Sequence, residues 1–155
     1  MRVDLIQPYL QEARDVISKE MGETVTPGRV ALKKPPATTQ EVSVLIGVAG
    51  QIQGVVMLMM STDTALKVVG RMTGEVYQQM DDLAQSAIAE MANVISGRAG
   101  IRLAADGHET TISPPTVLLG AGGGTISTLN IPIFAIPLET PFGTIDLEVA
   151  MKEMA

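Results

Sequence analysis

The sequence predicts a two-layer α/β (α+β) domain, in which a largely antiparallel sheet of about six strands carries long helices on one face. Three observations indicate this class. Residues 41–49 with 52–60, and residues 131–138 with 143–151, are β-rich pairs joined by short turns, which is typical of hairpins. A helix-like run precedes each hairpin. The two halves of the chain also resemble each other, so the fold is expected to contain an internal pseudo-twofold repeat.

The first helix is predicted over residues 3–21, because apolar residues recur there at helical spacing. Pro8 is expected to be tolerated only in the first turn of a helix, so the regular part is predicted to begin near Ile6. Gly22 is a suitable residue to end this helix.

The remaining elements follow from turn and capping signals. Residues 24–33 are strand-like and end in the loop Lys33-Lys34-Pro35-Pro36-Ala37. After the first hairpin, Ser61 or Thr62 can cap a helix over 63–72 that ends at Gly74. The long central helix follows, and then a strand-like stretch (110–119), a glycine-rich loop (120–124) and the second hairpin.

The internal repeat is visible as a local alignment. With an offset of 78 residues, the segment 12–18 matches 90–96, and Gly22 matches Gly100. About three strands follow each of these helices. The last strand of each half is predicted to start at a glycine, Gly54 in the first half and Gly143 in the second.

The central helix is predicted over residues 81–105, from Asp81 to Ala105. Asp81 or Asp82 can cap its first N–H groups, and both acids suit the positive end of the helix dipole. Its apolar residues are expected to form one broad face against the core. These residues are Leu83, Ala84, Ala87, Met91, Val94, Ile95 and Ile101.

Polar and small residues form a narrow arc of about 60° beside that predicted face. We call this arc the docking ridge; it contains Ser86, Glu90, Asn93 and Gly97. Glu90 and Asn93 point the same way, and Gly97 leaves space although glycine costs about 1 kcal/mol in a helix. The pattern fits a surface that binds a partner, although such residues more often form an ordinary solvated helix face.

Composition restricts the possible functions. The chain has 155 residues, which fits one domain spanning 1–155, and its 46% apolar residues suffice for a core. It has no Cys and one His, His108, which excludes disulfides, Cys-based zinc sites and thiolate chemistry and disfavours His-dependent triads. A charge of −6 without a basic stripe disfavours nucleic acid. Without a long apolar run or a signal-peptide core, we expect a cytoplasmic protein that does not insert into a membrane.

The glycine-rich stretch 120–124 invites comparison with phosphate-binding loops. It lacks the Gly-Lys-Ser/Thr ending of that motif, and no helix is predicted after it. We therefore interpret it as a mobile connection between strands.

The run Ser86-x3-Glu90-x2-Asn93, followed after about twenty residues by Pro114-Pro115, resembles the signature of the CheC/CheX/FliY chemotaxis phosphatases. The segment 112–116 (Ile-Ser-Pro-Pro-Thr) and the order of elements are most similar to the CheX branch, whose members carry one active motif. The first-half copy agrees, because Glu12 is followed there by Asp15 rather than by Asn.

The resemblance implies hydrolysis of the aspartyl phosphate on a phosphorylated CheY-like response regulator, in chemotaxis or related two-component signalling. Glu90 and Asn93 would be catalytic: Asn93 holds the attacking water and Glu90 pairs with the regulator's active-site Lys. Ser86 and Gly97 would contact the partner. Mg²⁺ is expected on the regulator, with no metal or cofactor of the chain's own, and a homodimer is implied.

Two other functional classes stay open from the residues alone. The domain could be a non-catalytic signalling module that docks a partner through the helix at 81–105. An enzyme acting on a small molecule is the third possibility, although the sequence shows no clustered acid, base and nucleophile.

Overall fold

The two predicted hairpins form the centre of the sheet. The computed structural model describes residues 3–154. In chain order the elements are α1 (Val3–Met21), β1 (Thr26–Pro27), β2 (Ala31–Lys33), β3 (Ala37–Thr38), β4 (Val42–Gly50), β5 (Ile52–Met60), α2 (Thr62–Thr73), α3 (Asp82–Ala105), β6 (Thr110–Ile112), β7 (Thr116–Leu119), β8 (Thr125–Ile126), β9 (Ile133–Thr140) and β10 (Gly143–Glu153).

The main sheet has eight strands in the order β1-β9-β10-β5-β4-β6, with β2 also on β9 and β7 also on β4. Every strand pair is antiparallel, and β3 and β8 form a separate two-stranded sheet. The predicted fold class is confirmed, but the strand count exceeds the expected six. Two stretches predicted as single strands are each divided in two.

Proline and glycine explain both divisions. Between β6 and β7, Pro114 and Pro115 have no N–H group with which to continue the pairing to β4. Between β1 and β2, Gly28 donates to the carbonyl of Pro137 at 2.7 Å. A Cβ on Gly28 would lie 2.8 Å from the ring of Pro137, so the chain passes too close to β9 for a larger residue.

The repeat appears in space as an exchange between halves. The hairpins β4–β5 and β9–β10 meet through their second strands, with Leu58 opposite Leu147. The short strands β1 and β2 after α1 pair with β9, and β6 and β7 after α3 pair with β4. The offset between corresponding elements of the two halves is not constant. It is 79 residues from the start of α1 to the start of α3, and 91 residues from the start of β4 to the start of β9. Each half therefore completes the sheet of the other.

Two details of the prediction were wrong. The last strand of the first half begins at Ile52, so Gly54 lies inside β5, whereas Gly143 does begin β10 as predicted. Helix α1 is regular through Pro8, which lies in its second turn and is buried. Only the bond to the carbonyl of Asp4 is lost there, and burial of the proline ring offsets part of that cost.

All three helices cover one face of the sheet, where alternate residues of β4 and β5 join the main core. The opposite face has a smaller core in which Met57 and Met59 pack under Ala37 of β3 and Ile126 of β8. Since aromatic residues make up only 3% of the chain, aliphatic side chains and Met fill both layers. Helix α3 packs against the core by one face, and its opposite face is exposed.

Candidate active site

Helix α3 begins where the sequence predicted. Asp81 is the cap, and its carboxylate accepts a hydrogen bond from the N–H of Ala84 at 2.9 Å. The helix then runs without interruption to Ala105. A capped helix packed along one side is a rigid support for side chains on its other side.

The buried face of α3 differs from the prediction. Ala84, Met91 and Ile95 are buried as expected, and Ala87 and Val94 are partly buried, but Leu83 is 69% exposed and Ile101 is 72% exposed. Small residues supply the rest of the contact: Ala92, Ser96 and Ala99 are buried together with Ile88 and Leu103. Apolar residues occur all around this helix, so periodicity did not identify which of them meet the sheet. Small side chains let the helix approach its neighbours closely.

The docking ridge lies on the outer side of α3. Ser86 and Glu90 are exposed, and Asn93 and Gly97 are partly buried. Within residues 3–154, the side chains of Glu90 and Asn93 make no hydrogen bond or ion pair. Both groups therefore keep their full hydrogen-bonding capacity for another molecule. A Cβ at Gly97 would meet no atom within 4 Å, so the space beside the pair is open.

A groove with a volume of about 260 Å³ continues from Gly97 between α3 and β6. The hydroxyls of Ser96 and Thr110, which line it, are buried and have no partner in the described part of the chain. Sequence reasoning missed both residues, because a Ser within a helix and a Thr within a strand carry no distinguishing pattern.

The first-half copy of the motif has a structural role at its acid. Glu12 is only 7% exposed, and its Oε2 lies 2.6 Å from Nε of Arg102 on α3. Its other oxygen lies 3.9 Å from Arg98. Asp15 is exposed, 3.5 Å from Arg14. Glu12 therefore ties α1 to α3, whereas Glu90 is exposed and has no partner within residues 3–154.

The loop that carries Pro114 and Pro115 connects β6 to β7, and both strands contact α3. Ser113 fixes this loop to β4: its hydroxyl accepts from the N–H of Gly47 at 2.8 Å, and its own N–H donates to the carbonyl of Gly47 at 2.9 Å. The downstream proline of the motif thus lies in a loop between two strands that contact the helix.

The glycine-rich stretch connects β7 to β8, so strands and not a helix flank it, as predicted. Its backbone donors are engaged within the chain. The N–H of Gly120 bonds to Glu41, and those of Gly123 and Gly124 bond to the carbonyl and the hydroxyl of Thr39. These groups are not directed towards an anion.

Other features lie apart from the ridge. A cavity of about 700 Å³ lies between α2 and the turn of the second hairpin, where Arg71 sits 5.5 Å from the ring centre of Phe142. No ridge residue lines it. Within residues 3–154 no three His, Asp or Glu side chains cluster as metal ligands would. No helix in the same range is long and apolar enough to cross a membrane.

The chain is similar to a known protein family and to a curated relative. Residues 42–139 match the family model described as chemotaxis phosphatase CheX. The chain is 34% identical over 154 residues to the CheY-P phosphatase CheX of Thermotoga maritima, a match that covers 96% of this chain and 93% of that protein.

Solved structures agree with that match. A CheC-like superfamily protein from Shewanella sp. PV-4 superposes with a TM-score of 0.88 at 27% identity, covering 98% of this chain and 99% of that one. The CheX–CheY–BeF₃–Mg²⁺ complex from Borrelia burgdorferi matches with a TM-score of 0.80 at 27% identity, covering 98% of this chain and 100% of that one.

Proposed function

The chain belongs to the CheX family of chemotaxis phosphatases, and from this we propose that it hydrolyses the aspartyl phosphate of a CheY-like response regulator. The relative from Thermotoga maritima is a CheY-P phosphatase, and the complex from Borrelia burgdorferi pairs a CheX with a CheY. We also propose that residues 1–155 act as one domain of this kind.

One observation about this chain carries the proposal. Glu90 and Asn93 lie one turn apart on the outer face of α3, and neither side chain has a partner within residues 3–154. The helix beneath them is held by the main core and by the ion pair of Glu12 with Arg102. An acid and an amide fixed on a rigid, uncovered helix suit insertion into the active site of another protein.

We assign the positioning of water to Asn93. Hydrolysis forms a bond from the water oxygen to phosphorus and breaks the bond from phosphorus to the aspartate oxygen, which releases inorganic phosphate and a carboxylate. Catalysis of phosphoryl transfer depends mainly on positioning and on stabilising charge. The amide of Asn93 can donate to or accept from the attacking water and does not titrate, so it adds no charge beside the phosphoryl group.

We assign docking to Glu90. Its carboxylate is exposed and can form a charge-assisted hydrogen bond with the Lys of the regulator's active site. That pairing would set the position of Asn93, which follows one turn later. A Mg²⁺ ion on the regulator, present in the Borrelia complex, would stabilise the charge on the phosphoryl oxygens. Ser86 and Gly97 would contact the partner beside the pair.

The test is phosphate release from a panel of CheY-like regulators phosphorylated with acetyl phosphate. The unmutated chain should accelerate release from at least one of them. Asn93→Ala should lose a factor on the order of 10² in turnover, because orientation of the water is lost. Binding to the beryllofluoride form of the regulator should be nearly unchanged. Gln79→Ala removes an exposed amide outside the ridge and is the matched control.

Two results would contradict the assignment. Full activity of Asn93→Ala on a regulator that the unmutated chain dephosphorylates would remove Asn93 from the mechanism. Binding of a regulator without any phosphate release would favour the non-catalytic docking module.

A homodimer remains a prediction from the resemblance, and a cytoplasmic location remains a prediction from the sequence. Both ends of the sheet carry short strands with exposed apolar residues, Leu32 on β2 and Leu118 and Leu119 on β7. Such edges favour pairing with another copy. Sedimentation equilibrium over a range of concentrations would measure the mass of the particle.

A further inference from the structure

The docking ridge ends in a large exposed apolar side chain at each end. Leu83 is 69% exposed and Ile101 is 72% exposed. At about 100° per residue, each lies within about 20° of the direction of Glu90. The two residues therefore extend the line of Ser86, Glu90, Asn93 and Gly97 without changing its direction.

Neither residue supports the fold in the way the sequence suggested. The core face of α3 is turned away from them, towards Ile88, Ala92 and Ile95. Single exposed apolar residues are normal on protein surfaces. Two on one helix, both aligned with an unpartnered acid and amide, form a pattern that a scattered distribution does not explain.

The charges around the ridge limit what else could bind a partner there. Glu90 is the one charged residue of the ridge, and Arg98 and Arg102 lie on the side of α3 that faces α1, both within 4 Å of Glu12. A single exposed ion pair contributes little affinity, because solvent and salt screen it. Stable docking therefore needs apolar contacts as well.

Building on the proposed function, we propose that Leu83 and Ile101 anchor the response regulator on either side of its phosphorylation site. They add apolar affinity and specificity for the regulator to the ion pair that Glu90 makes. The regulator that fits has an apolar patch at each end of the surface around its phosphorylated aspartate. Glu90 and Asn93 act between the two patches.

The dimensions agree with this assignment. At 1.5 Å per residue, Leu83 lies about 10.5 Å along the helix from Glu90, and Ile101 lies about 16.5 Å beyond Glu90 on the other side. The total of about 27 Å is the length expected for an interface that buries about 800 Å² on each partner. In interfaces of this size a few buried side chains commonly carry most of the affinity.

The experiment replaces each anchor by a polar residue of similar length that favours helix, Leu83→Gln and Ile101→Gln. Val76→Gln is the control, because Val76 is 87% exposed and lies before α3, off the ridge. Each anchor variant should raise KM for the phosphorylated regulator about tenfold, in line with loss of one buried apolar side chain. Turnover at saturation should stay within about twofold, since the reacting groups are unchanged. Thermal unfolding checks that all three variants fold.

Affinity for the beryllofluoride form of the regulator should fall by the same factor, and Val76→Gln should change neither quantity. Unchanged KM and affinity in both anchor variants, with an active unmutated chain, would overturn this inference and leave the proposed function standing. A change of particle mass in sedimentation, with unchanged affinity for the regulator, would assign the two residues to contact between copies and also overturn it. An unmutated chain that neither binds nor dephosphorylates any regulator would reject both proposals.

Discussion

Glu12 of α1 forms an ion pair with Arg102 of α3, with 2.6 Å between its Oε2 and the Arg Nε. The second guanidinium contact, from Arg98, is longer at 3.9 Å. The same carboxylate is the acid of the first-half motif copy. A position that carries an exposed acid in the second half thus holds two helices together in the first.

Glu12→Ala should lower the free energy of unfolding by about 1–2 kcal/mol, because the ion pair of a buried carboxylate with Arg102 is lost while solvent partly compensates the exposed guanidinium groups. Asp15→Ala, one turn later and exposed, should stay within about 0.5 kcal/mol. Urea denaturation measures both. Phosphatase activity per folded molecule should be nearly unchanged in both variants. A large loss of activity in a folded Asp15→Ala protein would indicate a second working site on α1.

Glu90→Ala should differ kinetically from Asn93→Ala. Removing the carboxylate weakens the ion pair with the regulator's Lys and also misplaces Asn93, so both KM and turnover should worsen. Titration of phosphate release against regulator concentration separates the two parameters. Glu20→Ala removes another exposed helical Glu and is the matched control. If Glu90→Ala changed turnover alone, the docking role would be wrong.

Gly97→Ala should stabilise the protein by about 0.5–1 kcal/mol, because Ala is the better helix former and the added methyl meets no atom within 4 Å. Gly97→Leu fills the space into which a partner would fit, so it should raise KM while the chain remains folded. Gly100→Ala is the control, since a Cβ added at Gly100 would face the Thr110 hydroxyl on β6 at 3.5 Å. Wild-type KM for Gly97→Leu would show that the partner does not approach here.

Tyr9→Phe should be neutral or stabilising at pH 7, because the Tyr9 hydroxyl is buried and has no partner in the described structure. Burial also raises the pKa of the Tyr9 phenol well above the ordinary tyrosine value of about 10. Just above pH 10 the Tyr9 phenol then ionises readily in the unfolded chain but not in the folded one. The free energy of unfolding of the unmutated protein should therefore fall there, by up to about 1.4 kcal/mol per pH unit. Tyr9→Phe should lack that part of the loss. Denaturation at pH 8 and pH 11 compares the two proteins, and identical losses would show that Tyr9 gains a partner in solution.

Local patterns were sufficient for much of the architecture. Turn signals and β-rich runs predicted β4, β5, β9 and β10 to within two residues, and the caps Asp81 and Ser61 marked the starts of α3 and α2. Helical spacing also placed Glu90 and Asn93 on one line, because that relationship depends only on the geometry of a single helix.

Long-range packing settled the rest. Periodicity assigned Leu83 and Ile101 to the core, but the structure exposes both. The buried face of α3 instead contains the small residues Ala92 and Ala99, which allow close packing. The exchange of short strands between halves joins segments that are far apart in the chain, so no local pattern reports it.

The same distinction applies to the two copies of the motif. A Glu on a helix face has the same local pattern whether it meets solvent or a neighbouring guanidinium. Its residue type and helical direction are local properties, and these predicted an acid on each helix. The packing of α1 against α3 brings Arg102 to Glu12, whereas Glu90 has no partner in the described chain. Which charged group lies beside an acid depends on the tertiary structure, and no local pattern reports it.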